Sequence, residues 1–341
     1  MTTGDGGDAP CCSCLHRPVE RFADAWYKVP EWKTLLLNAL LSTSAGVVLG
    51  LSTPPEAPIP SPWREISNVT GWIYFVSWSA ALYPAPVMTW VRGTADGLSI
   101  ESRLITLLGY AAYSTYNGML LYNASTRAEY MRVQGSPPEV RTNDLLYALH
   151  GAALSLIVLG EMFYFSKRES TLALGATGWH RLAILIFACM LVFVLILVGL
   201  VVTSSITLLR FAGLLANVEL ASNTVKYIPQ LLLNYERKRT LGVFTVALRF
   251  QGALLSVVQM FIDCYAAQPT DWSGVIGDPV KFSLGFSSLF FDIIFFMQHY
   301  YFYANQADKG LELGNARHPA IEEPLGQSEM TPLVRRSREG T

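Results

Sequence analysis

Charge is scarce in this chain. Only 15% of its 341 residues are Asp, Glu, Lys or Arg, against 51% that are hydrophobic, where a soluble domain carries about 25% charged residues. The charge present comes in short clusters, such as Lys167-Arg168-Glu169 and Glu236-Arg237-Lys238-Arg239, separated by long apolar runs. That pattern excludes a soluble globular chain. With a net charge of −1 and no basic stripe, nothing points to a nucleic-acid partner. Cysteine is scarce too, and five residues make no disulfide framework. Cys189 and Cys264 lie in apolar runs and read as small hydrophobes. Cys11, Cys12 and Cys14, beside His16, lack a second ligand pair at a zinc spacing. They read as a reduced tail or, if that tail is cytosolic, as S-acylation sites. No nucleophile–base pair or metal cluster stands in the apolar runs, so neither an enzyme nor a cofactor is expected. Alternating ten-residue segments, which a closed barrel requires, are missing as well.

What the chain does have is apolar length. A helix needs about 20 apolar residues to cross the hydrocarbon core. Such runs occur near 71–91, 103–122, 145–165, 182–203, 211–233, 249–267 and 282–304. The expected fold is therefore an all-α membrane protein with seven transmembrane helices in residues 71–304. A further apolar segment, Leu35 to Leu51, is diluted by Asn38, Ser42, Thr43 and Ser44. Within an N-terminal region of 34–70 it reads equally as a signal peptide or a signal anchor. Residues 1–33 form an N-terminal tail. Residues 305–341 read as a disordered polar tail, in which Glu329, Leu333 and Val334 outline an acidic dileucine-like signal for a sorting adaptor.

Orientation follows from the basic loops. Arg92, the group Lys167, Arg168 and Arg181, and the run Arg237-Lys238-Arg239 mark one face as cytosolic and place the C-terminus there. The sequons at Asn68 and Asn123 then fall on the luminal side.

The chain also repeats itself weakly. The first predicted helix ends Leu82-Tyr83-Pro84-Ala85-Pro86 and the fifth ends Lys226-Tyr227-Ile228-Pro229-Gln230, each shortly before a basic loop with a glycine. Two prolines at equivalent places, three helices apart, predict two three-helix bundles joined by a central helix, with kinks at both. Lys226-Tyr227-Ile228-Pro229-Gln230 resembles the second signature of the PQ-loop transporters. Gly277-Asp278-Pro279-Val280-Lys281-Phe282-Ser283-Leu284-Gly285, continuing through Phe291-Asp292-Ile293-Ile294-Phe295-Phe296-Met297-Gln298-His299, resembles the last helix of that family's cystinosin branch. Gly71-Trp72-Ile73-Tyr74-Phe75-Val76-Ser77-Trp78-Ser79 resembles its first helix, and Asn143-Asp144 with Leu149-His150 its third.

The resemblance implies proton-coupled efflux of L-cystine from a lysosomal or vacuolar lumen to the cytosol by alternating access. It implies Asp292 and Asp144 as proton-coupling residues. It implies Tyr83, Pro84, Tyr227, Pro229 and Gln230 as hinge or gate. Three positions depart from the family pattern: Ala85 replaces the glutamine of the first signature, Arg249 stands where an acidic residue is usual, and Glu219 where a basic one is. The reversal of the last two is compatible with a swapped ion pair between Glu219 and Arg249, or with another substrate. A charge in mid-membrane usually faces a partner or a wet cavity, and desolvation favours the neutral form of a carboxyl group. Asp292, flanked by apolar residues, is either such a proton site or the structural partner of Lys226 or Arg249. Asp144 is either a proton site or a helix cap. Lys226 offers a point charge to a carboxylate. Asn117 and Asn234 offer donors and acceptors, and Trp78 a wall. The same asparagines also fit interhelical hydrogen bonding. Asp263 receives no role. A cationic amino-acid or sugar exporter on the same fold, or a seven-helix receptor without flux, are the competing functions.

Overall fold

The computed structural model describes residues 30–95, 98–135, 137–168, 178–237, 243–267 and 279–303. The N-terminal cysteines and the Glu329, Leu333 and Val334 signal lie outside them. Among the described residues the regular structure is helical throughout: α1 (Glu31–Ser52), α2 (Trp63–Ala80), α3 (Pro84–Arg92), α4 (Ile100–Tyr122), α5 (Ala124–Gln134), α6 (Thr142–Arg168), α7 (Gly178–Val202), α8 (Leu208–Arg237), α9 (Val243–Ala267) and α10 (Pro279–Met297), which continues as a π-turn, Gln298–Phe302. Among the described residues, five helical stretches are long and apolar enough to cross a membrane: Glu31–Ser52, Thr142–Phe165, Arg181–Val202, Val243–Ala267 and Lys281–Phe302. The expected spans at 103–122 and 211–233 are present as α4 and α8. Their charged residues, Glu101 and Arg103 in one and Arg210, Glu219 and Lys226 in the other, dilute their apolar character.

The first expected span differs from its sequence reading. It begins eight residues earlier than 71, at Trp63, so the boundary expected after residue 70 falls inside α2. It then breaks rather than kinks. Leu82 and Tyr83 bond three residues back, to Ser79 and Ala80, and α3 restarts with Pro84 in its first turn. Pro84 and Pro86 together remove two nearby N–H donors, and proline suits a first turn. Gly93, at φ 65°, closes α3 in the left-handed conformation that glycine adopts without strain. By contrast α8 runs continuously through Pro229. A single internal proline is accommodated in a membrane helix.

The helices pack in two matching sets. In the first, α6 lies against both α4 and the α2–α3 pair; in the second, α10 lies against both α9 and α8. Between the sets, α2 packs on α9 and α4 packs on α8. Exchanging the first helix of each set with the second of the other is what a two-fold relation between them requires. The strongly apolar α7 presents mostly exposed side chains and touches α4 and α8.

Helix α1 is docked onto this body from end to end. Gly46 and Gly50 bring its backbone against Ile73 and Val69 of α2, and a Cβ on Gly50 would stand 2.6 Å from the Val69 Cα. Small residues that let backbones approach are the usual basis of helix association in lipid. Gln251 Nε2 of α9 donates to Thr43 Oγ1 at 3.0 Å. Tyr300 donates to Glu31 Oε1 at 2.6 Å. At the other end Asn68 Nδ2 donates to the Gly50 and Thr53 carbonyls, at 2.7 and 3.1 Å, satisfying the C-terminus of α1. The amide nitrogen of that sequon is therefore engaged, whereas Asn123 uses its oxygen, accepting from Thr126 N at 2.9 Å to cap α5. Asn123→Gln is expected to remove a glycan-dependent mobility shift on a gel, and Asn68→Gln to leave mobility unchanged.

Candidate functional site

The polar residues inside an apolar body decide what it can do, because each needs a partner there. Two groups of them lie between the helix sets.

The first sits where α6 and α10 begin. Asp144, third residue of α6, is buried and accepts from three directions: Tyr74 Oη of α2 at 2.6 Å, Lys281 Nζ of α10 at 3.0 Å and the Arg141 backbone N–H at 2.9 Å. The last bond is the reciprocal half of a capping box, so the capping and charged readings of Asp144 hold together in one side chain. Lys281, also buried, donates as well to Gln259 Oε1 at 3.3 Å; Gln259 in turn donates to the Ser67 carbonyl at 2.9 Å. Asn143 donates to the Gly71 carbonyl at 2.8 Å. Beside this group Arg141 Nη2 meets Asp263 Oδ2 of α9 at 3.1 Å. Both ion pairs thus tie a helix of the first set to a helix of the second.

The second group lies deeper. Arg249 of α9 grips Asp292 of α10 through Nη2 at 2.6 Å and Nε at 3.1 Å, both to Oδ1. Its guanidinium lies over Tyr227 and Phe295, 5.1 and 5.4 Å from the ring centroids. Asp292 has no solvent exposure, and its Oδ2 has no partner. The swapped ion pair expected between Glu219 and Arg249 does not form. Arg249 is taken by Asp292, while Glu219 accepts from Asn223 Nδ2, one turn on, at 2.9 Å. Its Oε2 has no partner. Glu219 occupies space that Gly109 leaves open between α8 and α4. Lys226, two turns beyond Glu219 on the same face of α8, stands over the rings of Tyr110 and Tyr227 at 5.4 and 5.8 Å. Trp78 Nε1 donates to the Arg249 carbonyl at 3.1 Å, its ring 5.1 Å from Tyr147, which in turn shares a hydroxyl contact of 3.1 Å with Tyr110. Every one of α2, α4, α6, α8, α9 and α10 contributes to this wall of aromatics and charges.

Of the residues singled out from sequence, the structure brings Trp78, Lys226, Tyr227, Arg249 and Asp292 together. Asn117 is fully buried on α4, and neither side-chain polar atom has a partner. Asn234 stands apart. It donates to Gln298 Oε1 at 3.0 Å, and Gln298 donates to the Leu231 carbonyl at 3.1 Å, which joins the far ends of α8 and α10. Asn234→Leu is expected to cost about 1–3 kcal/mol by orphaning Gln298, lowering thermal stability while leaving substrate KM unchanged. Tyr83 reaches His150 Nε2 at 3.1 Å beside the α2–α3 break. The side chains of Pro229 and Gln230 lie outside those described. Sequence reading passed over Lys281, Arg141, Tyr74 and Gln259. Lys281 carried a signal, being a lone cation opening an apolar run; Arg141 was masked by its place among loop basics.

A body built from two like sets of helices, lined by buried charges from both, is that of a repeat-built membrane transport protein. Comparison with known proteins agrees and narrows it. The PQ loop repeat matches at residues 66–125 and 211–268, the α2–α4 and α8–α9 regions. A cystinosin homolog of Dictyostelium discoideum is 34% identical over 252 residues, covering 72% of this chain and 84% of that protein. Bovine cystinosin is 32% identical over 241 residues, 70% of this chain and 63% of its own length. A Saccharomyces cerevisiae cystine transporter is 22% identical over 259 residues, with 73% and 98% covered. The chain belongs to the cystinosin branch of the PQ-loop family.

Proposed function

We propose that this chain exports L-cystine from a lysosomal or vacuolar lumen to the cytosol, coupled to protons, by alternating access. In this reading α2–α3, α4, α6, α7, α8, α9 and α10 are seven spans, with α7 joining the two repeats. The ends of α6 and α10 at Asp144 and Lys281 face the lumen, and the C-terminus is cytosolic. The observation that carries the reading is the Arg249–Asp292 pair, with Asp292 fully buried, at the aromatic wall shared by both repeats. Cystine bears a carboxylate and an ammonium at each end. A substrate carboxylate can replace Asp292 on Arg249 only if Asp292 loses its charge, because a bare carboxylate at that depth is costly. A luminal proton supplies that neutralisation. Arg249 then faces one carboxylate with or without cargo, and because cystine is itself neutral the proton on Asp292 adds one positive charge to the loaded site. When the site opens to the cytosol, cystine leaves, Asp292 gives up the proton and Arg249 takes it back. Lys226 holds the substrate's second carboxylate as a point charge, and Asn117 and Glu219 Oε2 offer unpartnered acceptors to an ammonium. Trp78 forms the wall. The break at Tyr83 and Pro84, and the Tyr227–Pro229–Gln230 stretch of α8, are the places where the sets flex.

The test is uptake by cells that carry the chain at the plasma membrane, Leu333 and Val334 being replaced by alanine to weaken retrieval by a sorting adaptor. Labelled cystine, lysine, arginine and glucose are compared from an acidic bath. Saturable uptake of cystine, competed by none of the other three, is expected. Uptake of lysine, arginine or glucose in its place sinks the substrate assignment.

A further inference from the structure

One charged pair has no part in that cycle. Arg141 and Asp263 join the start of α6 to α9, with their side chains only 11% and 6% exposed. Each keeps one buried polar atom without a partner, Arg141 Nε and Asp263 Oδ1. Guanidinium–carboxylate pairs frequently make two parallel bonds, and this one makes a single contact with donor and acceptor capacity left over on both sides. Arg141 also borders a cavity of about 290 Å³, lined further by Glu56, Arg127, Leu120, Pro138 and Val140. Its lining includes two cations, Arg141 and Arg127, that can receive a carboxylate and one carboxylate, Glu56, that can accept from an ammonium. The backbone N–H of the same Arg141 is bonded to Asp144 Oδ2, the acceptor of Lys281. Whatever shifts Arg141 therefore acts on the bond that joins α6 to α10.

We propose that this cavity is a loading site for the α-amino-acid end of the substrate, in which Arg141 exchanges Asp263 for the substrate carboxylate. Asp263 holds the place of the ligand while the site is empty. The incoming carboxylate takes Arg141 Nη2 and the idle Nε together. The ammonium of the same end is accepted by Glu56, whose Oε2 otherwise takes the Thr142 N–H at 2.9 Å. Arg127, exposed at the rim, draws the anion in. Loading thus pulls on the backbone that holds Asp144, linking arrival of cargo to separation of α6 from α10. This rests on the transport reading above and adds a second, outer substrate site to it.

The experiment measures initial rates of cystine uptake, with surface amount determined in parallel, for the wild-type chain, Arg141→Gln, Asp263→Asn, Arg127→Gln and the exchange Arg141→Asp with Asp263→Arg. If Arg141 receives the carboxylate, Arg141→Gln raises KM about tenfold, the worth of one lost charge-assisted contact, with kcat little changed. Asp263→Asn moves KM the other way, since it removes the competitor. Arg127→Gln, at an exposed position where folding is not at issue, raises KM by a smaller factor. The exchange variant stays impaired, because it presents an acid to an acid. If the pair only fastens helices, Arg141→Gln and Asp263→Asn lose rate or surface amount alike and the exchange restores it; that result overturns the loading site and leaves the transport reading standing. A wild-type chain at the surface that takes up no α-amino acid overturns both.

Discussion

Arg249→Met is expected to be the most damaging single substitution in the body, costing about 3–5 kcal/mol of stability. The reason is what it leaves behind. Asp292 has no exposure, and Arg249 is its ion-pair partner through two hydrogen bonds. An unpaired charge inside a membrane helix costs at least about 2.5–3.5 kcal/mol on insertion scales. The double variant Arg249→Met with Asp292→Asn removes both charges and should recover most of that loss. Heating the purified protein in detergent and following the soluble monodisperse fraction checks the order: wild type highest, the double variant next, Arg249→Met lowest. If Glu219 were the partner of Arg249, Arg249→Met with Glu219→Gln would be the pair that recovers instead. Both double variants should lack proton-coupled flux, because stability and coupling use the same carboxylate in different ways.

Asp144→Asn carries the second large effect, again by leaving a buried charge behind. The groups facing Asp144 are Lys281 from α10, Tyr74 from α2, and Arg141 at its own helix start, with Gln259 and Asp263 of α9 beside them. The carboxylate holds Lys281 and ties α6 to α10. An amide there carries no charge, so Lys281, only 4% exposed, is left as an uncompensated buried cation. Asp144→Asn is therefore expected to cost about 3–5 kcal/mol of stability and to loosen this end, and Asp144→Asn with Lys281→Met should recover most of the loss. Labelling of a single cysteine placed at Leu121, beside the cavity at that end, reads the change directly. Labelling unchanged between wild type and Asp144→Asn would contradict a closing role for the Asp144–Lys281 pair.

Helical content and membrane placement were legible in the sequence because apolar length is a one-dimensional signal. Helices α4, α6, α8, α9 and α10 occur close to where the runs of apolar residues put them. Tyr83-Pro84 and Tyr227-Ile228-Pro229 were equally visible as a repeat, yet only the first breaks a helix, since only the first has a second proline two residues on. The docking of α1 was hidden. Ser42 and Thr43 read as dilution of a span, whereas they meet Gln251 of α9, and Gly46 and Gly50, which let Ile73 and Val69 approach, carried no reading. Partner choice was the least legible feature. Arg249, Glu219, Lys226 and Asp292 were all conspicuous as charges in apolar surroundings, but which of them meet depends on rotation of α8, α9 and α10 about their axes. A single α-helical residue step turns a side chain by about 100°. Asp263 shows the same limit: its partner lies 122 positions away in a stretch that reads as an ordinary loop.

The most direct measurement is the current evoked by cystine in cells carrying the chain at the surface, clamped at a fixed voltage in acidic and in neutral bath. Cystine is close to uncharged in either bath, so an inward current in acid that vanishes at neutral pH, and in Asp292→Asn at both, is the expected result. Cystine uptake of equal rate in both baths with no accompanying current would contradict proton coupling through the Arg249–Asp292 pair.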